Sequence, residues 1–170
     1  MAGVDELLKA NRAFARAFAD GGKPAKPARQ LVVVTCMDAR IDPARTLGLG
    51  IGDAHVIRNA GGRISDDVIR SLIISTAMLG TREVVVIQHT DCGMQTFSND
   101  DMHARIADER GADASHIDFL PFSDLKANVR ADVERLRTDP HLEPGITVSG
   151  YVYDVDTGAL TEVVAPLTTA

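Results

Sequence analysis

Leu31-Val32-Val33-Val34-Thr35-Cys36 is the stretch whose reading decides the fold. It offers no alternating polar face, so it suits a strand covered on both sides, at the centre of a parallel sheet. Glu83-Val84-Val85-Val86-Ile87-Gln88 has the same character, and Ala54-His55-Val56-Ile57-Arg58 lies between the two. Helical signals fill the intervals. Asp42-Pro43 opens a short helix through Leu47, with proline in the first turn, where its missing N–H costs little. Ser65 with Asp66 and Asp67 starts a longer helix that runs through Ile69, Leu72, Ile73 and Ala77 to Gly80. Strand, helix, strand, helix, strand predicts an α/β fold with a mostly parallel central sheet of four to five strands flanked by helices.

Outward from this centre the signals weaken. Val4 to Ala19 has helical spacing of Leu7, Leu8, Phe14 and Phe18, an apolar stripe that needs a surface to cover. Gly21-Gly22-Lys23-Pro24 ends it, and Pro24 and Pro27 keep the following link extended. Asn99 to Arg110 and Asp124 to Arg137 read as helices, with His116 to Pro121 as loop. Ile146–Val155 and Ala159–Val164 alternate around Asp156-Thr157-Gly158, which predicts a terminal hairpin.

 A chain of 170 residues with 45% hydrophobic content fits one domain, residues 1–170, with a real core, in which residues 1–27 form a helix and extended arm whose apolar stripe needs a surface on this subunit or on another. The net charge of -6 argues against nucleic acid or an anionic membrane as partner. The apolar runs are strand-sized, too short to cross a bilayer. Asp5, Glu6, Lys9 and Arg12 interrupt any signal-peptide core, so the expected location is cytoplasmic.

The chemistry gathers at strand ends. The first run delivers Cys36; the run that starts at Glu83 delivers His89, with Cys92 just beyond. In open α/β sheets, ligands bind at the carboxyl ends of strands, and neighbouring strands can bring these three residues together. Two thiolates and an imidazole are donors that zinc favours, and three protein ligands leave a fourth position for water or substrate. The chain has two cysteines, so a closed site of four thiolates is excluded. Asp38 and Arg40 follow Cys36 closely. The Asp38 carboxylate either takes the fourth metal position itself or pairs with Arg40 and leaves that position open. Cys92-Gly93 begins a new segment, where backbone N–H groups suit an anion or a developing oxyanion.

Cys36-x-Asp38-x-Arg40, then Arg58-Asn59-Ala60, then His89-x-x-Cys92-Gly93, in this order and spacing, resembles the β-class carbonic anhydrases. Gly150-Tyr151-Val152-Tyr153-Asp154 and Thr157-Gly158 extend the likeness to the terminal hairpin. The resemblance implies one zinc ion per subunit held by Cys36, His89 and Cys92. It implies an Asp38–Arg40 gating and catalytic dyad, a backbone donor at Gly93 near the substrate, and mainly scaffolding roles for Arg58 and Asn59. It further implies a homodimer, sometimes paired into a tetramer, with N-terminal helices gripping the partner, and reversible hydration of carbon dioxide to bicarbonate and a proton. Ala39 replaces the usual serine, Ala60-Gly61-Gly62 is richer in glycine than the common pattern, and Pro27 stands where many members carry a pocket glutamine. The chain resembles a compact subgroup whose relatives include carbonyl sulfide and carbon disulfide hydrolases, so a sulfur substrate is the alternative.

Blander readings stand beside these. Each cysteine alone reads as a small buried hydrophobe, and the pair as a disulfide or redox couple. A zinc-bearing binding or sensor protein would need the three donors but not the dyad. The blander reading of Asp38 and Arg40 is a surface ion pair, and Asp91 reads equally as a turn residue or as a support for the site. His55 reads as packed, and His103, His116 and His141 as solvated. Asn99-Asp100-Asp101 reads as a helix start rather than a second metal site.

Overall fold

The structure is a computed structural model that describes residues 3–170, so the first two residues of the N-terminal arm lie outside it. Five strands form one sheet: β1 (Leu31–Cys36), β2 (Ala54–Asn59), β3 (Glu83–His89), β4 (Thr147–Tyr153) and β5 (Leu160–Thr168). Their spatial order is β2-β1-β3-β4-β5, parallel throughout except for β5, which runs antiparallel to β4. The continuous apolar runs thus occupy β1 and β3, two of the three strands that have a neighbour on either side. Val32, Val33, Val34, Val84 and Val86 are fully buried, as a strand covered on both faces requires.

One face of the sheet carries most of the core. Val32, Val34, Val84, Val86 and Val148 pack there against α3 (Asp66–Ala77) and α5 (Leu125–Thr138) through Val68, Leu72, Val129, Val133 and Leu136. Gly150 lets α5 approach β4: a β-carbon there would lie 2.6 Å from Val129 Cγ1 and 2.8 Å from Val133 Cγ2. The opposite face is covered more thinly, by Ile41 and Leu47 around α2 (Pro43–Leu47) and by Met94 and Phe122. Asp42 caps α2 by accepting from the N–H groups of Ala44 and Arg45, with Pro43 in the first turn.

The remaining elements are α1 (Val4–Arg16) and α4 (Asn99–Arg110). Ser98 and Asp101 cap α4 reciprocally, so the acidic cluster at its start is a capping box. α1 stops at Arg16, short of the Ala19 that spacing suggested. No residue of α1 is buried, so no core contact extends it past Arg16. β5 runs to Thr168, past the Val164 expected from the alternating pattern. Ala165-Pro166 reads as a strand stop, but β5 is an edge strand, where proline's missing donor is tolerated.

Candidate metal centre

The parallel register places the site. Thr35 on β1 lies opposite Ile87 on β3, so Cys36 and His89 emerge together at the carboxyl ends of adjacent central strands. Cys92 follows on the turn that leads into a short 3-10 segment, Gly93–Gln95. The ligand atoms of Cys36, His89 and Cys92 all lie within 4.8 Å of one another, and all three residues are buried. Both cysteines are free thiols.

The surroundings fit a metal ion. His89 Nδ1 lies 2.8 Å from the Thr90 carbonyl, which can only accept, so Nδ1 carries the proton and Nε2 presents a lone pair. Nε2 is buried and has no hydrogen-bond partner. An orphaned buried nitrogen facing two sulfurs is costly unless a cation shares it, and the donor set suits zinc. Hydrogen bonding from the Cys92 thiol is the strongest influence on Cys36 and pulls its pKa down against the opposing effect of burial. Cys92 is pushed up by that same hydrogen bond and by burial. Burial opposes the His89 cation, but the neighbouring Cys36 sulfur outweighs it and the net shift is upward.

Close packing of the turn after β2 completes this wall. The Gly61 N–H donates to Cys36 Sγ at 3.3 Å. Gly62 has a φ of +62°, and a β-carbon there would lie 2.8 Å from the Cys36 nitrogen and 2.9 Å from the Thr35 carbonyl carbon. The glycine-rich departure at Ala60-Gly61-Gly62 thus has a steric reason: only a bare backbone fits against β1.

Asp38 and Arg40 form a pair beside the three donors. Arg40 Nε donates to Asp38 Oδ1 at 3.0 Å and Nη2 to Oδ2 at 2.8 Å, while the Arg40 backbone N–H also donates to Oδ1 at 2.8 Å. Arg40 thereby holds the Asp38 carboxyl well below the usual carboxylate range. Asp38 Oδ2 stands 3.8 Å from His89 Nε2. The other edge of the guanidinium meets Asp91, with Nη1 2.7 Å from Oδ2 and Nη2 2.9 Å from the backbone carbonyl. Arg58 donates to the carbonyls of Cys36 at 3.0 Å and Asp38 at 2.8 Å, bracing the backbone between donor and dyad. Asn59 closes the next turn by bonding both the N–H and the carbonyl of Arg63.

A cleft of about 520 Å³ opens onto Cys36 and Asp38. Gly93 lines it, together with Met37, Met94, Phe97 and Met102, so its walls are largely apolar. The histidines outside the centre are elsewhere engaged. His55 Nδ1 bonds Ser75 Oγ at 2.7 Å. His103, expected in solvent, is half-buried and tied to the Ile117 carbonyl at 2.8 Å, against the Phe119 ring. His116 is exposed, and His141 pairs with Asp139.

A group that the sequence reading missed lies under the site. Asp132 of α5 accepts from Arg63 Nε and from Gln88 Nε2, each at 2.8 Å, and Asn128 Nδ2 donates to Gln88 Oε1 at 2.8 Å. The available signal was Asn128 and Asp132, spaced four apart within the apolar face of α5, with Gln88 inside the run that delivers His89.

Comparison with known proteins agrees with this geometry. Residues 31–160 match the family described as carbonic anhydrase. Beta-carbonic anhydrase 1 of Mycobacterium tuberculosis (strain H37Rv) is 43% identical over 162 residues, covering 94% of this chain and 97% of that protein. A carbon disulfide hydrolase of Saccharolobus solfataricus is 36% identical over 156 residues, covering 78% and 76%. The crystal structure of carbonic anhydrase from Streptococcus mutans superposes with a TM-score of 0.91 at 47% identity, covering 96% of this chain and 98% of that one. Three metal-type donors at adjacent strand ends, the pair beside them and these likenesses lead to one conclusion: the chain belongs to the β-carbonic anhydrase family.

Proposed function

We propose that this protein is a zinc-dependent carbonic anhydrase that interconverts carbon dioxide and bicarbonate, with Cys36, His89 and Cys92 as the metal ligands. The observation that carries the reading is the buried, unpartnered His89 Nε2 facing two thiols, with an ionised Asp38 alongside. When bound, the metal supplies Lewis acidity, and with it a water acidic enough to react near neutral pH.

The chain's own groups do the rest. Arg40 keeps Asp38 ionised and turned beside the donors, where its carboxylate accepts a hydrogen bond from the attacking water and orients the oxygen lone pair. The apolar walls of the cleft admit a small uncharged substrate and exclude bulk water. As the carbon–oxygen bond forms, charge builds on the substrate oxygens, and Gly93, which lines the cleft, offers its backbone N–H to that charge. The proton lost by the water passes to buffer.

The subunit arrangement belongs to the same reading. Val4, Leu7, Leu8, Phe14 and Phe18 are all exposed. A second copy of the chain would cover this stripe, so residues 1–27 serve as an arm in a homodimer or tetramer. The second reading is hydrolysis of carbonyl sulfide or carbon disulfide on the same centre. It is favoured by the Met- and Phe-lined cleft and by the Saccharolobus relative.

Stopped-flow carbon dioxide hydration on protein of verified zinc content, with carbonyl sulfide hydrolysis on the same sample, tests both. Fast hydration with slow sulfide release is the expected result. Poor hydration with brisk sulfide release moves the enzyme to the second reading, and failure of both removes catalysis altogether.

A further inference from the structure

Asp91 is the one non-glycine residue of the site's own loops, Cys36 to Asp42 and Thr90 to Thr96, with a positive φ, +54°. That conformation suits asparagine and aspartate better than other side chains. It turns both the carbonyl and the carboxylate of Asp91 toward a single group, the Arg40 guanidinium, at 2.9 and 2.7 Å. Arg40 Nη2 reaches Asp38 Oδ2 and the Asp91 carbonyl at once. The planar fork is therefore gripped along two edges, by Asp38 on one and by Asp91 on the other.

We propose that Asp91 is a positioning residue that clamps Arg40, so that Arg40 in turn holds Asp38 beside the three donors rather than over them. The inference rests on the reading that Asp38 and Arg40 act at this centre. Arg40 has a long side chain whose surface is 45% exposed, so a carboxylate on one edge alone leaves it free to pivot. The second grip removes that freedom. Once Arg40 pivots, Asp38 loses the partner that holds it aside and competes with an incoming anion for the space between the donors. Asp91 is 79% exposed, and an exposed ion pair adds little stability. Its effect is therefore read in function and not in melting.

Asp91→Asn keeps the side-chain shape and tolerates the same backbone while removing the charge. The test measures carbon dioxide turnover in the zinc enzyme, and thiocyanate affinity from the visible spectrum of the cobalt-substituted protein, with Arg40→Ala beside it. Loss of one charge-assisted hydrogen bond predicts roughly a fivefold to tenfold fall in turnover and a comparable weakening of thiocyanate, with metal content and melting unchanged. Wild-type turnover and thiocyanate affinity in Asp91→Asn, with Arg40→Ala impaired, overturn the clamp alone. Wild-type behaviour in Arg40→Ala overturns the dyad reading and the clamp with it. Loss of metal or of melting temperature in Asp91→Asn overturns positioning in favour of a structural role.

Discussion

Arg40 with Asp38 and Arg63 with Asp132 are the same chemical pair in two settings. At Arg40 and Asp38 the side chains are 45% and 18% exposed; at Arg63 and Asp132 they are 13% and 4% exposed. The buried pair is saturated. Asp132 also accepts from Gln88 and from the Ile64 N–H at 3.4 Å, so α5, β3 and the turn after β2 meet at one carboxylate. The open pair keeps one side toward the cleft. Burial makes an ion pair into a joint between elements, whereas exposure leaves its carboxylate on the wall of the cleft.

The largest effect is expected where burial is deepest. Asp132→Ala leaves the Arg63 guanidinium buried without its partner, which costs about 3–5 kcal/mol. For a domain of this size that lowers the melting temperature by roughly 6–20 °C. Thermal unfolding checks it, and a shift of a degree or two would mean that water or another group satisfies Arg63. Turnover per folded, zinc-loaded molecule should change far less, because Asp132 does not face the cleft.

The mirror prediction concerns the open pair. Asp38→Ala and Arg40→Ala should each lose about 10–100-fold in turnover, the usual range for groups that support a metal centre. Both should retain zinc, and their stability should change by at most about 1 kcal/mol. Stopped-flow assays with metal analysis separate these effects. If either variant turns over at the wild-type rate, the pair is only a surface contact and the comparison collapses.

The same contrast explains what could be read in advance. Asp38 and Arg40 are two residues apart and close to Cys36, so their proximity needs only a local loop. The apolar runs that deliver Cys36 and His89 are long and continuous, and the central strands follow from them with small changes at the ends. Arg63 and Asp132 lie 69 positions apart, and only the docking of α5 brings them together. Nothing local marks Arg63 as internal. α1 shows the opposite difficulty: its amphipathic spacing was plain, but none of its residues is buried against this subunit. β5 runs past Val164, where the alternating pattern ends, because it lies on the rim of the sheet, where the missing donor of Pro166 is tolerated.

The smallest effect separates the two settings by pH. Arg40 holds the folded Asp38 carboxyl below its ordinary range, whereas in the unfolded chain an aspartate titrates near pH 3.9, roughly. Between those values the unfolded state binds the extra proton, so stability falls as pH falls. Above about pH 5 both states are ionised and the contribution of Asp38 is complete. Asp38→Asn cannot ionise, so in metal-free protein the stability gap between wild type and variant should be level from neutral pH down to about 5. It should then shrink steadily as the solution is made more acidic. Raising the salt to about 1 M should shrink the level part as well, because an exposed pair is screened. Urea unfolding across that range measures the gap. If the two curves stay parallel down to about pH 3, Arg40 exerts no grip on the carboxylate, and the geometry at the open pair loses its energetic meaning.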